Sequence, residues 1–167
     1  MSESADIIEH LNLQRHPEGG WFSEAYRSQD IIESESLPEG YSSAHCFGTS
    51  IYFLLDKADF SAFHRIRSDE TWHFYLGSAI VIHCISPDGT YSPVELGRDI
   101  RKGQVLQYTI PRNCWFAAGN LDKNTFSLVG CTVAPGFDYS DFELGKKESL
   151  INSFPQHQAL IREFTRQ

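Results

Sequence analysis

The feature that most constrains this chain is a close succession of short apolar segments from residue 49 onward. The segments are TSIYFLL, SAFHRIR, ETWHFYLG, AIVIHCIS, VLQYTIP, NCWFAAG and TFSLVGCTVAP. Turn-forming sequences separate them, among them PDGT at 87–90, RKG at 101–103 and LDKN at 121–124. Many short strands with such punctuation predict an all-β fold, either a sandwich or a small barrel.

The segments on either side of these strands predict peripheral helices. Apolar residues follow Ser4 at helical spacing and stop before Pro17, which predicts a short N-terminal helix. A second apolar set surrounds Pro155 and predicts one or two C-terminal helices packed on the sheet. Between the first helix and the strands, HPEGG reads as a turn and WFSEAYRS as an alternating strand.

We expect one domain over residues 1–167, with a barrel core of about 17–145 and a C-terminal helical segment over 146–167. The polar stretch 28–48 is long enough for a mobile flap, so it is a candidate lid.

Charge and cysteine content exclude several classes of partner. The net charge of −8, from 22 acidic and 14 basic residues, repels phosphate backbones and anionic membrane surfaces. No run approaches the roughly 20 apolar residues of a membrane span, and no basic-then-apolar leader precedes the domain. We therefore expect a cytoplasmic protein with neither nucleic-acid nor membrane partners. The cysteines lack CxxC spacing and read as buried reduced thiols: Cys46, Cys84, Cys114 and Cys131.

One spacing pattern carries the strongest resemblance. Ala58, His64, Ile66, Glu70 and Gly77 resemble in their spacing the first motif of the cupin superfamily, which reads glycine, histidine, histidine, glutamate, glycine. A looser echo of the second cupin motif follows, with a glycine-to-proline gap two residues longer than usual; it consists of Gly103, Pro111, Phe116 and Asn120.

The departures from these motifs bear on metal binding. In metal-containing cupins the ligands are three histidines and one glutamate, and here Ile66 and Phe116 stand at two of the histidine positions. His64 and Glu70 alone are too few for a catalytic transition-metal site. His73 is an odd number of residues from Glu70, so a regular strand turns it to the opposite face unless a bulge intervenes. We therefore assign no metal and no cofactor.

Four segments together resemble one subgroup of small cupins, similar to a yeast protein of unknown function and classed near the epimerases of dTDP-rhamnose synthesis. They are LQRHPEGGWFSEAYRS, FHRIRSDETWHFYLG, IPRNCWFAAG and VAPGFDYSDFELG, and they span roughly residues 8–145. The resemblance implies a double-stranded β-helix, the jelly-roll barrel of cupins, with short N-terminal and C-terminal helices. It also implies a homodimer, but it supplies no activity.

The candidate site follows from that barrel register. His64 and Glu70 would face the cavity, where burial and mutual contact shift both pKa values and suit them to proton transfer. We name these two as the catalytic candidates; the alternative is that they only hydrogen-bond each other and the backbone. Six aromatic residues are candidate ligand-binding walls: Trp21, Trp72, Phe74, Phe116, Phe137 and Phe142.

Three functions remain open from the sequence. The first is a metal-independent isomerase or epimerase acting on a small sugar-like or carbonyl metabolite, with His64 as base and Glu70 orienting it. The second is a module that binds a small molecule without chemistry. The third is a metal-dependent oxygenase, which the two missing ligands disfavour. Arg27 has two alternatives, pairing with Glu24 across a dimer or reaching an anionic substrate.

Overall fold

The computed structural model describes residues 2–166, and within that range it contains thirteen strands and three α-helices. The strands are β1 (Gln14–Arg15), β2 (Trp21–Arg27), β3 (Ile31–Ile32), β4 (His45–Cys46), β5 (Thr49–Asp56), β6 (Phe60–Arg65), β7 (Asp69–Gly77), β8 (Ile80–Ile85), β9 (Tyr91–Leu96), β10 (Gln107–Ile110), β11 (Trp115–Asn120), β12 (Phe126–Ala134) and β13 (Glu143–Leu144). The helices are α1 (Glu3–His10), α2 (Lys147–Ser153) and α3 (Gln158–Glu163).

Two antiparallel sheets form the barrel. One has six strands in the order β1-β2-β5-β12-β7-β10, and the other has five in the order β13-β6-β11-β8-β9. The non-sequential order of both sheets, with β12 between β5 and β7 and β11 between β6 and β8, is that of a jelly roll. The predicted all-β barrel with short terminal helices is confirmed. A separate two-stranded ladder joins β3 to β4.

The interior of the barrel is filled from one end by apolar side chains of both sheets. Fully buried members of this cluster include Phe53, Leu55, Trp72, Ile80, Ile82, Leu96, Ile110, Phe116 and Val129. Alternation along each strand turns every second side chain inward, so both sheets contribute to one core. The cavity described below lies toward the other end, where β6 and β7 carry the residues of the first motif.

The terminal helices cover the outer faces of the two sheets. The five-stranded sheet buries Phe63, Ile85 and Trp115 against α2 and α3, which contribute Leu150 and Ile161. The six-stranded sheet is covered at one end by α1, whose Ile7 and Ile8 pack on a cluster formed by Leu13, Leu54 and Leu128. No helix within the described range is long and apolar enough to cross a membrane.

One strand was not among those predicted from the sequence. The segment YSPVEL forms β9, which pairs with β8 in the register His83 to Pro93. Proline removes a ladder donor, and β9 tolerates Pro93 because it is the edge strand of its sheet.

Candidate functional site

The candidate site is a cavity of about 80 Å³ at the unfilled end of the barrel. Strands of the six-stranded sheet form one wall, β6 forms the opposite wall, and the β1–β2 turn and the segment after β12 complete it. The lining residues are His16, Glu18, Phe22, Glu24, Arg27, Thr49, Ile51, Phe53, His64, Ile66, Glu70, Cys131, Val133, Phe137, Tyr139 and Phe142. Both sequence candidates for catalysis, His64 and Glu70, thus line one cavity.

His64 contacts Glu18, and no hydrogen bond joins it to Glu70 within residues 2–166. The Nε2 atom of His64 lies 3.1 Å from Oε2 of Glu18, and Nδ1 lies 2.8 Å from the carbonyl oxygen of Ala62. A carbonyl oxygen only accepts, so Nδ1 carries the ring proton and Nε2 of the neutral ring is the acceptor. Nε2 of the neutral ring can therefore accept only from the protonated form of the Glu18 carboxyl group.

Electrostatics favour the same protonation state. Burial raises the pKa of Glu18 well above its ordinary value, and the nearby Glu70 carboxylate raises it further. Burial also lowers the pKa of His64 to about 3, against the Ala62 carbonyl, which raises it. The pair is therefore a protonated carboxyl group in contact with a neutral imidazole, both nearly inaccessible to solvent.

The β1–β2 turn is pressed against β6, which brings Glu18 to His64. The backbone N–H of Ala62 donates to the Glu18 carbonyl oxygen at 2.8 Å, and the Ser61 hydroxyl donates to Glu18 Oε1 at 2.8 Å. Gly19 allows this approach, because a Cβ there would lie 2.2 Å from the carbonyl oxygen of Phe60 and its φ is +111°. The HPEGG segment is thus a turn, as predicted, but it also delivers an acid into the barrel.

His16 occupies the same turn and faces the same carboxyl group. Its Nδ1 accepts the backbone N–H of Glu18 at 3.3 Å and lies 3.3 Å from Glu18 Oε2. Burial lowers the pKa of His16 to about 4, so the ring is neutral at pH 7 and carries its proton on Nε2. The rings of Phe22 and Phe142 contact it edge-on, at centroid distances of 4.7 and 5.8 Å.

Glu70 reaches the cavity from β7, on the opposite sheet. Its Oε1 accepts the indole N–H of Trp72 at 2.9 Å. Burial raises the pKa of Glu70 to about 7, although the hydrogen bonds from Trp72 and the Cys131 thiol lower it. A carboxyl group that is half ionised near neutral pH is well suited to accept and return protons.

The segment after β12 covers the cavity. Phe137, Tyr139 and Phe142 line it from this side, whereas the stretch 28–48, expected as a lid, contributes no residue to the lining. That expectation is corrected: the 28–48 stretch lies beside the cover and fastens it through His45, whose Nε2 contacts Asp141 Oδ2 at 2.5 Å.

Two residues of the six-stranded sheet also hold the cover. Both terminal nitrogens of Arg27 donate to the carbonyl oxygen of Phe137 at 3.2 Å, and the Phe137 N–H donates to Thr49 Oγ1 at 3.0 Å. Arg27 pairs with Glu24 of its own chain, with Nη2 2.8 Å from Glu24 Oε2. The residues proposed to pair across a dimer thus meet within one protomer.

The six expected aromatic wall residues separate into three groups. Phe137 and Phe142 line the cavity. Trp72, Phe74 and Phe116 belong to the barrel core behind it, and the Phe116 ring lies 4.0 Å from that of His64. The prediction is wrong for Trp21, which faces outward beneath α1 and Arg15. Side chains alternate along β2, so Phe22 and not Trp21 points into the barrel.

The residues present do not fit a cupin metal ion. Phe116 and Ile66 stand where two ligands would be needed, and the Phe116 ring packs on the imidazole of His64. Nδ1 of His64 is hydrogen-bonded to the Ala62 carbonyl oxygen, and Nε2 faces the Glu18 carboxyl group at 3.1 Å. His73 lies on the outer face, where its Nε2 meets Thr132 Oγ1 at 3.1 Å, as the odd spacing predicted. Residues 2–166 include no cluster of three His, Cys, Asp or Glu side chains able to hold a metal.

Glu18 and His16 are the site residues that the sequence reading missed. A charged residue followed by two glycines is an ordinary turn signal, and nothing in its spacing connects it to His64, 46 residues later. Its inclusion in a segment shared with a cupin subgroup, HPEGGWF, was the available signal.

Comparison with known proteins supports the architecture. Residues 5–145 match the family model Cupin_5, described as cupin superfamily (DUF985). The uncharacterized protein YML079W of Saccharomyces cerevisiae is 28% identical over 159 residues, which cover 90% of this chain and 79% of the yeast protein.

Solved structures give the same result. Protein SO0799 of Shewanella oneidensis is 37% identical with a TM-score of 0.87, covering 99% of both chains. A hypothetical protein of Leishmania major is 33% identical with a TM-score of 0.89, covering 99% of this chain and 100% of that one. Oxalate decarboxylase of Bacillus subtilis, 12% identical with a TM-score of 0.54 over 90% of this chain and 36% of the enzyme, shares the fold alone. The chain belongs to the cupin superfamily, in the family described as DUF985.

Proposed function

We propose that the chain is a metal-independent enzyme of the isomerase or epimerase kind, which moves a proton on a carbon beside a carbonyl group of a small metabolite. The observation that carries the proposal is a pair of acids on opposite walls of one cavity. Glu70, from the six-stranded sheet, is half ionised near pH 7, while Glu18, held against β6, keeps its proton. One cavity thus offers a base and an acid at the same pH.

In the proposed step, the Glu70 carboxylate takes the proton from one face of the carbon. The C–H bond breaks, its electron pair enters the enolate, and the Glu18 proton forms a new C–H bond on the opposite face. Glu70 then returns its proton to water, and Glu18 regains one. The configuration of the carbon is inverted, and atoms and charge balance over the cycle.

The two histidines serve this step differently. Nδ1 of His64 bonds the Ala62 carbonyl oxygen and Nε2 lies 3.1 Å from Glu18, so we assign His64 the positioning of Glu18 and not the role of base that the motif suggested. His16 has a proton on Nε2 for which no acceptor exists among residues 2–166, and it lines the cavity. A neutral imidazole can donate this hydrogen bond to the enolate oxygen without carrying charge.

The test is hydrogen exchange at carbon. Glyceraldehyde and dihydroxyacetone are incubated with the protein in D₂O at neutral pH, and NMR follows loss of the signal from the hydrogen beside the carbonyl. Exchange should exceed the buffer-catalysed rate, and Glu70→Gln or Glu18→Gln should reduce the excess by about 10²–10⁴-fold.

Glu143→Gln is the matched control, because Glu143 is an exposed acid whose partner is Arg65, outside the cavity. Exchange at the buffer rate in the unmodified protein with every carbonyl probe, or an equal rate in Glu70→Gln, would reject the mechanism.

A second candidate function is a module that binds a small molecule without chemistry, favoured by the aromatic cover over the cavity. The two functions differ in the response to His64→Ala. Turnover should be abolished if His64 positions a catalytic acid, whereas affinity alone should weaken if it orients a bound ligand.

We also propose that the protein acts as a cytoplasmic homodimer. Four buried free cysteines suit a reducing compartment. Exposed Tyr26, Tyr75 and Leu76 on the six-stranded sheet offer apolar area to a second copy. Sedimentation velocity tests the dimer, and a mass of 19.0 kDa at micromolar concentration would reject it.

A further inference from the structure

The substrate class follows from the hydrogen bonds that Arg27 already makes at the cavity. Arg27 is the only lysine or arginine that lines the cavity within residues 2–166. A guanidinium group has five N–H donors, and each one has an acceptor here. Nε donates to Glu24, Nη2 donates to Glu24 Oε2 at 2.8 Å and to Phe137 O, and Nη1 donates to Phe137 O and Cys46 Sγ.

The remaining ionisable groups offer an anion no partner. His16 and His64 lose their charge through burial, which lowers the pKa of both rings. Glu18 holds its proton against His64, and Glu70 is negative whenever it can act as a base. A phosphate or carboxylate inside the cavity would leave water, meet no free cation and lie near a carboxylate.

The polar atoms that remain suit hydroxyl and carbonyl groups. The carboxyl oxygens of Glu18 and Glu70 can accept from hydroxyls, and the N–H of His16 can donate to a carbonyl oxygen. Phe22, Phe137 and Phe142 offer apolar area to C–H groups of the same molecule.

We infer that the substrate is an uncharged hydroxy-aldehyde or hydroxy-ketone, and not a phosphorylated, carboxylated or nucleotide-linked compound. The inference rests on the proposed function and specifies the substrate class of the same site. It also excludes one of the two alternatives for Arg27, reception of a substrate anion: this side chain pairs with Glu24 of its own chain and fastens the cover.

Matched pairs of probes test the inference. Glyceraldehyde is compared with glyceraldehyde 3-phosphate, and dihydroxyacetone with its phosphate, in saturation-transfer NMR titrations of the intact protein at low salt. Each uncharged probe should bind at least about tenfold more tightly than its phosphate. Glu70→Gln removes the negative carboxylate and should reduce the difference in affinity between each uncharged probe and its phosphate. Arg27→Gln should leave the affinity for each phosphate unchanged.

The outcomes separate this inference from the proposed function. If uncharged probes bind but show no hydrogen exchange at carbon, the proposed enzymatic function is rejected and the inferred ligand class is retained. A phosphorylated probe that binds more tightly than its uncharged partner, or loses about tenfold in affinity in Arg27→Gln, would overturn the ligand class. Absence of binding by every uncharged probe at about 50 mM, far above a millimolar dissociation constant, would overturn it as well.

Discussion

Nε2 of His64 and Oε2 of Glu18 lie 3.1 Å apart inside the barrel. The contact is possible because Ala62 fixes the ring proton on Nδ1 and because burial keeps the carboxyl group protonated. An acid and an imidazole that are distant in sequence thereby act as one neutral unit. Glu70, on the facing sheet, then remains the group of the cavity that changes charge near pH 7.

Replacement of Ser61 should lower the stability of the protein, because the Ser61 hydroxyl bonds the buried Glu18 carboxyl group. Ser61→Ala removes the hydroxyl that donates to Glu18 Oε1 at 2.8 Å and leaves a buried carboxyl oxygen without that donor. The free energy of unfolding should fall by about 1–3 kcal/mol in urea titrations. Ser92→Ala, in an exposed position of β9, is the control and should change it by less than about 0.5 kcal/mol. Equal effects of the two substitutions would contradict the assigned bond.

Glu70 should make stability depend on pH in a defined direction. Its pKa is about 7 in the folded protein against 4.5 when unfolded, so the folded state binds more protons between these values. The contribution is fully present below pH 4.5 and is lost as the pH rises through 7. Glu70→Gln should therefore gain roughly 3 kcal/mol relative to the unmodified protein between about pH 4 and pH 8. A stability difference that is flat across this range would show that Glu70 titrates normally.

The rate of hydrogen exchange at carbon should follow the charge of Glu70. Below pH 7, kcat/KM should rise about tenfold per pH unit, because only ionised Glu70 accepts the proton. At higher pH the rate should fall again as Glu18, whose pKa is raised, loses the proton it delivers. Glu18→Gln should lower the rate and remove the alkaline decline. A rate that falls as the pH rises from 5 to 7 is incompatible with these roles.

The cover over the cavity should loosen when its anchor at Phe137 is removed. Thr49→Val deletes the acceptor of the Phe137 N–H, a bond of 3.0 Å. Amide hydrogen exchange over 136–142 should accelerate by about 5–30-fold, which corresponds to about 1–2 kcal/mol of local opening. Thr109→Val is the matched control, since Thr109 bonds Thr71 on the exposed outer face of the sheet. Unchanged exchange in Thr49→Val would mean that this bond does not restrain the cover.

Much of the architecture could be read from local pattern. Alternation along β6 and β7 turns His64 and Glu70 inward and His73 outward, because successive side chains on a strand point to opposite faces. The terminal helices followed from apolar spacing after Ser4 and around Pro155. By contrast, β9 was not predicted, and its tolerance of Pro93 depends on its position at a sheet edge, a property of the assembled sheet and not of the segment.

Residue order alone predicted the cupin barrel, the inward direction of His64 and Glu70, and the loss of two metal-ligand positions at Ile66 and Phe116. It did not predict which side chains pair. Glu18 reaches His64, Trp21 turns outward, and the cover comes from 136–142 instead of 28–48. The reason is physical: strand periodicity acts over two residues, whereas a hydrogen bond between side chains depends on where the β1–β2 turn packs against β6, many residues away along the chain.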